Sequence, residues 1–405
     1  MEKVVIWGTG QYATYIFEDL LMDKCVFEGF VDNAIEKKGK LWKNQYRIYS
    51  LEKSIELDVD FYLVSAMYYK EQIIAQAKDL GIENKLIWYW QDNLNPYEFI
   101  DNSSYLRENI LLKIKIEKLQ REVDNAPYEY GNPPVKIKSA KELLEKIIEK
   151  RYSLCRFGDG EFDIILKHNR AWFQKYDAEM SEDLKKILKS DDEKILIAIA
   201  DNYGSLSKYS DRAADAIRQY MTNDKRREHM SLLDLSRKYY DAYVSRPYII
   251  YKNKNKNASE IFGLYKKMID GRDILIIEGK NTKIGVNNDL LDGAKSVRRI
   301  LCPDANAYSV YEKIINQTIE NASYDDLILI TLGPTATVLA YDLAKKGYQA
   351  IDFGQVDNEY EWFLRQATER IVIEGKSVSE VAWYRIPRTQ IHDEKYETQI
   401  ISYIE

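Results

Sequence analysis

The 405-residue sequence is short of the residues that usually hold metals or staple small folds, with only three cysteines and three histidines. Cys25, Cys155 and Cys302 lie far apart and are odd in number. They form neither a disulfide framework nor a zinc site, so a reducing cytosol is the expected compartment. His168, His229 and His392 likewise lack metal-ligand spacing. There is no basic excess: a net charge of -6 argues against a large nucleic-acid surface. Long hydrophobic runs are also missing. The most apolar stretch, 327–344, is broken by Gly333, Pro334 and Asp342 and falls short of a membrane span. The first residues, Met1 to Trp7, enter a strand-like run at once and leave no room for a signal peptide. Composition therefore predicts a soluble, cytoplasmic protein. Phenylalanine is scarce beside tyrosine, 11 against 32, a bias shared with Lys, Asn and Ile that carries little functional weight.

What is present is an alternation of strands and helices. Val4–Trp7, Phe27–Val31, Phe61–Ala66 and Leu86–Trp90 read as strands, with helices over Tyr12–Met22 and Glu71–Leu80. That order predicts a parallel sheet in a small α/β domain over residues 1–95. A helical linker follows at 96–134, closed by Pro127 and the pair Pro133-Pro134. Within it, Tyr105, Leu112, Ile116, Leu119 and Val123 recur at steps of three and four, with Asn109 interrupting the stripe. Such a stripe is either a short coiled-coil seam, through which two copies could pair, or one helix packed on its own domain. From 135 to 405 the chain reads as one larger α/β unit. Ser139 to Glu142 form a capping box opening a helix to about Lys150. Strands are expected at Ser153–Phe157, Ile195–Ala200, Ile274–Ile277, Leu327–Thr331 and Ala350–Phe353, helices at Asp211–Met221 and Val338–Lys346, and an exposed loop at Lys252–Asn257.

Five clusters carry chemistry. Gly8, Gly10 and Ala13 match the glycine fingerprint of dinucleotide sites, and Asp32 closes the second strand where a ribose-binding acid would stand. A nucleotide in this domain is one reading and an unused pocket the other. Arg156-Phe-Gly158-Asp159-Gly160-Glu161 follows a strand and precedes a helix expected at Phe162–Lys167. Two carboxylates on a glycine-flanked turn could aim at one Mg²⁺ or Mn²⁺, although a solvated turn is the commoner outcome for such a pair. The loop 278–289 offers Lys283 to a phosphate and Asn288 and Asp289 to sugar or ribose hydroxyls. Gly333, Pro334 and Thr335 open a helix after a strand, a backbone nest suited to phosphate. Finally Asp352, Asp357, Glu359 and Glu361 place four acids within ten residues. Such crowding is costly unless cations or ligands offset the repulsion, and structural salt bridges account more readily for some of the four than for all.

Taken in order, the segments 156–161, 278–290, 299–307, 332–336 and 352–362 resemble the GT-D-type bacterial glycosyltransferases. The resemblance covers roughly residues 135 to 390 and implies a GT-D-type α/β domain behind a Rossmann-like N-terminal module. It implies transfer of a hexose, commonly glucose from UDP-glucose, to a surface glycan or glycoprotein. It also implies a metal held by Asp159 and Glu161, with Glu361 as the acceptor-side base and Asp357 as its alternative. Arg156, Gly158, Asp352 and Gly354 complete the donor-binding set. Three positions depart from the family pattern: Gln355 stands where His is common, Lys283 where Arg is usual and Asn287 where Gly is usual. Gln355 can orient a hydroxyl but cannot act as a base.

Two other function classes compete. The N-terminal fingerprint would suit an NAD-dependent oxidoreductase acting on nucleotide sugars, although no hydride-site signature follows it. A non-catalytic nucleotide-binding scaffold is the other alternative.

Overall fold

A computed structural model describes the chain apart from residues 35–36, 67–69, 92, 102–104, 169–172, 379–386 and 388–391. It divides into two compact units, the first built on residues 1–119 with a short return of the chain at 369–372, the second on 120–368, 373–377 and the C-terminal residues.

Among the described residues the first unit is built on one six-stranded sheet. Its strands are β1 (Glu2–Trp7), β2 (Cys25–Val31), β3 (Leu41–Trp42), β4 (Tyr46–Tyr49), β5 (Phe61–Val64) and β6 (Leu86–Trp88), in the order β3-β4-β2-β1-β5-β6. All pairings are parallel except that of β3 with β4. The expected first helix is shorter than its periodicity suggests, ending at Glu18. There Asp19 turns its buried carboxylate to the Tyr89 hydroxyl, and the Leu21 amide donates to Phe99 O at 2.9 Å, so the backbone leaves the helix to meet its own domain. The chain return is held by the Gln72 amide, which donates to Glu369 Oε1 at 2.8 Å.

The helix Leu106–Glu129 contains Pro127, a residue expected to close the linker rather than to lie within a helix. A proline in the last turn removes a single helical N–H, and the Tyr130 amide still reaches Ala126 O at 3.0 Å. One face of this helix, Ile110, Leu111 and Ile114, packs into the apolar core of the first unit. That face is not the periodic stripe of the sequence. Leu112, Ile116, Leu119 and Val123 are 57%, 64%, 49% and 65% exposed.

Among the described residues the second unit carries nine strands: β7 (Lys136–Lys138), β8 (Ser153–Phe157), β9 (Ile195–Ile199), β10 (Lys238–Asp241), β11 (Asp273–Gly279), β12 (Ser296–Cys302), β13 (Leu327–Thr331), β14 (Gln349–Asp352) and β15 (Ile400–Tyr403). These strands pair with one another in parallel throughout, in the order β15-β12-β11-β13-β14-β8-β9-β10-β7. Strands such as β9 (Ile-Leu-Ile-Ala-Ile) and β13 are covered on both faces, which is why they read as continuous apolar runs rather than alternating ones. The Ser139 capping box forms as expected and its helix ends at Lys150. The expected loop 252–257 does not form: Lys254 begins a helix running to Ile269, whose apolar face (Ala258, Ile261, Phe262, Tyr265) lies in the core. A polar first turn masks an amphipathic helix.

In such a sheet, ligands gather at the carboxyl ends of strands where the winding reverses. The strand order reverses between β14 and β8.

Candidate active site

Three adjacent strands, β13, β14 and β8, each end at this edge and each feeds a helix: Pro334–Lys345, Val356–Leu364 and Asp159–Ile165. Helix N-termini present unsatisfied amides and the positive end of the helix dipole, so this edge is built for anionic groups. Four of the five sequence clusters lie in this unit, and three of them start these helices.

Arg156 ties β8 to β14. Its Nε donates to Asp352 O at 2.9 Å and its Nη2 to Asp352 Oδ1 at 2.6 Å, while Nη1 reaches Ser245 Oγ at 2.7 Å. Thr337 Oγ1 lies 2.8 Å from Arg156 O and 3.1 Å from Asp352 Oδ2, closing the link to the third helix. Burial pushes the Asp352 carboxyl up, and Arg156 opposes that shift. Gly354 sits at φ +54°, and a Cβ there would stand 2.1 Å from Arg156 Nη2. Gly354→Ala should therefore cost about 1–3 kcal/mol in backbone strain alone and also displace the guanidinium. We expect a lowered melting temperature and a loss of turnover that Gly271→Ala, at φ +67° in open space, does not show. Equal effects of the two substitutions would remove Arg156 from the explanation. Gly333 is constrained in the same way, at φ +57° with the Phe173 ring where a Cβ would go.

Asp159 and Glu161 share the first turn of a helix rather than a loop turn ahead of it. The helix starts at Asp159, ahead of the Phe162 start that the apolar pattern predicts, with Gly158 as its N-cap. Residues two apart on a regular helix leave it in directions about 200° apart. Glu161 Oε2 instead turns back to accept the Gly158 amide at 2.7 Å, whereas Asp159 is exposed and accepts the Gly160 amide at 3.0 Å. Burial and the nearby Asp352 raise the Glu161 carboxyl to about 7, against the opposing Gly158 amide and Arg156. Among the described residues no group of three His, Cys, Asp or Glu side chains is placed to hold a metal ion. The residues fit a cation whose other ligands come from phosphate, with Asp159 the accessible carboxylate.

His229 supports this helix from below. It stacks on Phe162 with centroids 4.0 Å apart, and Tyr203 OH and Tyr220 OH lie 3.0 and 3.2 Å from its two ring nitrogens. Burial first, then Lys225 and Arg226, lowers its pKa to about 3. A histidine held neutral in the fold but able to protonate when unfolded contributes stability above about pH 6.5 that is lost as pH falls toward 3. The slope is roughly 1.4 kcal/mol per pH unit. Melting temperatures should thus drop between pH 7 and pH 5, and His229→Gln should flatten that drop; an unchanged slope in the variant would refute the assignment.

The loop after β11 meets the helix Val356–Leu364 in a second cluster. Glu278 is buried with Arg299 at 2.6 Å and accepts the Ile284 amide at 2.8 Å, which anchors the loop. Asn288 Nδ2 donates to Asp357 Oδ1 at 2.9 Å and to Glu361 Oε1 at 2.8 Å. Asp289 pairs with Lys266 at 2.6 Å and accepts the Tyr360 hydroxyl at 2.5 Å. Lys283 is largely buried, and that burial, before any neighbouring charge, depresses its pKa. At the centre stands Lys376, fully buried, with its Nζ 2.7 Å from Asp357 Oδ2 and 3.0 Å from Glu361 Oε1. No sequence motif marks it, because its partners lie 15 and 19 residues upstream.

All four acids of the 352–361 segment have partners within the protein, cations for Asp352, Asp357 and Glu361 and backbone amides for Glu359. Asp352 has Arg156 and Asp357 has Lys376; Glu359 Oε2 accepts the amides of Tyr248 and Ile249 at 3.0 and 2.9 Å. Glu361 has Lys376 and, one helical turn on, Arg365 at 3.0 Å. Burial alone would raise the Glu361 carboxyl, but Lys376, Asn288 and Arg365 together hold it below its ordinary value. Gln355 is the N-cap residue of the helix and its Oε1 accepts Asn358 Nδ2 at 2.9 Å.

Gly8, Gly10, Ala13 and Asp32 lie in the first unit. The fingerprint strand, turn and helix are present, and Gly8 has φ +114°. The Asp32 carboxylate, expected to hold a ribose, is engaged by the Thr9 hydroxyl and by Lys37 at 3.0 Å.

Comparison with known proteins follows this division. The family profile described as "C2185-like, N-terminal" matches residues 1–88, and that described as "Glycosyltransferase GT-D fold" matches 154–381. The chain is 35% identical over 272 residues to a "Probable glycosyl transferase Gly" of Streptococcus gordonii, spanning 66% of this chain and 39% of that protein. It is 34% identical over 272 residues to "Glycosyltransferase GlyD" of Streptococcus pneumoniae serotype 4, spanning 67% of this chain and 33% of that protein. The chain thus spans well under half the length of these relatives. A solved structure described as domain of unknown function 1792 with "a distinct glycosyltransferase fold" matches with a TM-score of 0.63 at 34% identity, covering 67% of this chain and 96% of that one. A "New Glycosyltransferase (DUF1792)" from Streptococcus sanguinis matches with the same TM-score at 33% identity, covering 67% of this chain and all of that one. The profile covers more than half of the chain, and the solved folds agree with the sheet described above: the chain belongs to the GT-D-fold glycosyltransferase family.

Proposed function

We propose that the chain transfers a hexose from a nucleotide-sugar donor, with UDP-glucose the first candidate, to a glycan or glycoprotein acceptor. The observation that carries this reading is the convergence of three helix N-termini at the ends of β13, β14 and β8, with an accessible carboxylate, Asp159, in the first turn of one. The first-turn amides beyond Gly333 would receive donor phosphate oxygens, and Arg156 would keep the three strand ends in register. A Mn²⁺ or Mg²⁺ ion, when bound against Asp159, would supply Lewis-acid stabilisation of the leaving diphosphate. Glu161 would hold the first turn of its helix through the Gly158 amide. Asp357, Glu361, Asn288 and Lys376 would set the loop that borders the donor.

The fold has no helix long and apolar enough to cross a membrane among the described residues. We place the reaction in the cytoplasm, where nucleotide sugars are available. The test is direct. Purified protein is incubated with Mn²⁺ and a panel of nucleotide sugars, and release of the nucleotide is measured. Release from one UDP-hexose that disappears in EDTA supports the reading. Binding of NAD(H) with redox turnover, and no nucleotide release from any sugar donor, would overturn it.

A further inference from the structure

The helix Leu106–Glu129 is apolar on two faces, and among the described residues one of them packs within the chain while the other is exposed. Ile110, Leu111 and Ile114 enter the core of the first unit, and Arg121 and Asn125 bond residues of the second. On the opposite side Tyr105, Leu112, Ile116, Leu119 and Val123 form a continuous exposed stripe, with exposed Asn109 in line with them. We propose that this stripe is the seam of a parallel two-stranded coiled coil formed with a second copy of the chain.

The residue types choose the occupant. Steps of four and three place Tyr105, Leu112 and Leu119 at d positions of a heptad and Asn109, Ile116 and Val123 at a positions. The inward residues Ile110, Leu111, Ile114 and Arg121 fall at b, c and f, opposite the seam. β-branched residues at a with leucine at d favour two parallel strands, and a single Asn at a fixes register and oligomer state at some cost in stability. In a parallel, in-register pair Asn109 faces Asn109 of the other copy and the two amides satisfy each other. An antiparallel pair centred on the same stripe would set Asn109 against Leu119, burying an amide with no partner. The flanking charges agree. Glu108 at g is placed to meet Lys113 at e of the next heptad in the other copy, and both are exposed.

Fewer than three heptads make a weak isolated coiled coil. Here the helix is already ordered by its opposite face, so pairing does not have to meet the cost of helix nucleation. This inference does not rest on the proposed reaction.

Sedimentation of the 405-residue chain at tens of micromolar tests it. We expect a species of twice the 47.6 kDa chain mass, converted to a single chain by Leu112→Glu with Leu119→Glu while the melting temperature stays unchanged. Asn109→Cys should give a covalent dimer on mild oxidation, because a parallel pair brings the two a positions together. The native cysteines are all buried and should not compete. A wild-type chain that sediments as a monomer would overturn the proposal. So would a dimer in which Asn109→Cys does not cross-link, or one that survives the double Glu substitution.

Discussion

Lys376→Met should lower the melting temperature steeply and reduce nucleotide release with it. The Lys376 ammonium is the shared counter-charge of two buried carboxylates, Asp357 and Glu361, and all three are withdrawn from solvent. Removing one partner of a buried ion cluster leaves the others uncompensated, which typically costs about 3–5 kcal/mol. In a domain of this size that corresponds to a fall of order 10 °C. The functional loss follows from position. Asp357 also accepts the Gly285 amide at 2.8 Å and Asn288 Nδ2, so the same cluster fixes the loop after β11. The charge account makes a second demand: Glu361→Gln in the Lys376→Met background should recover part of the lost stability, since one of the stranded charges is then gone. Additive losses in that double variant, or a single variant that melts like the wild type, would show that packing around the lysine rather than its charge holds the cluster. Glu361→Gln alone should lower the melting temperature, because its pairings with Lys376 and Arg365 are lost; a loss of turnover in the folded variant far beyond that would mark Glu361 as the acceptor-side base.

Asp159→Asn should have the largest effect on turnover and almost none on folding. The side chain is exposed, and Asn keeps its shape and can still accept the Gly160 amide. A cation stabilising a leaving diphosphate supplies several kcal/mol, so losing its carboxylate ligand should slow nucleotide release by roughly 10²–10⁴-fold. Glu161→Gln should be milder, because the amide oxygen can still accept the Gly158 N–H and keep the helix start in place. Initial rates with and without EDTA separate these roles. If wild-type release is as fast in EDTA as in Mn²⁺, the cation is not part of the reaction. If Asp159→Asn retains wild-type rates, Asp159 is not its ligand.

The α/β class, the position of the strand ends and the glycine-bearing turns after β8, β11, β13 and β14 are legible in the sequence by itself. Each is a local property: an apolar run needs two covering layers, and a turn at the end of a strand needs Gly, Asp or Asn within a few residues. The family resemblance rests on those turns, because their order and spacing along the chain form the recognisable pattern. The weaker elements are not legible. The short strands β3, β7 and β15 have too few residues to show a period, and the polar start of the helix Lys254–Ile269 imitates a loop. Only the tertiary structure decides which acids are already compensated. Asp352, Asp357, Glu359 and Glu361 look alike in sequence, but their partners Arg156, Lys376 and the Tyr248 and Ile249 amides come from other segments of the chain. The same holds for Asp159 and Glu161: their spacing does not show that a helix starts at Asp159 or that Glu161 turns back to the Gly158 amide. Charge compensation depends on distance in space, and spacing along the chain carries no record of it once the partners belong to different strands.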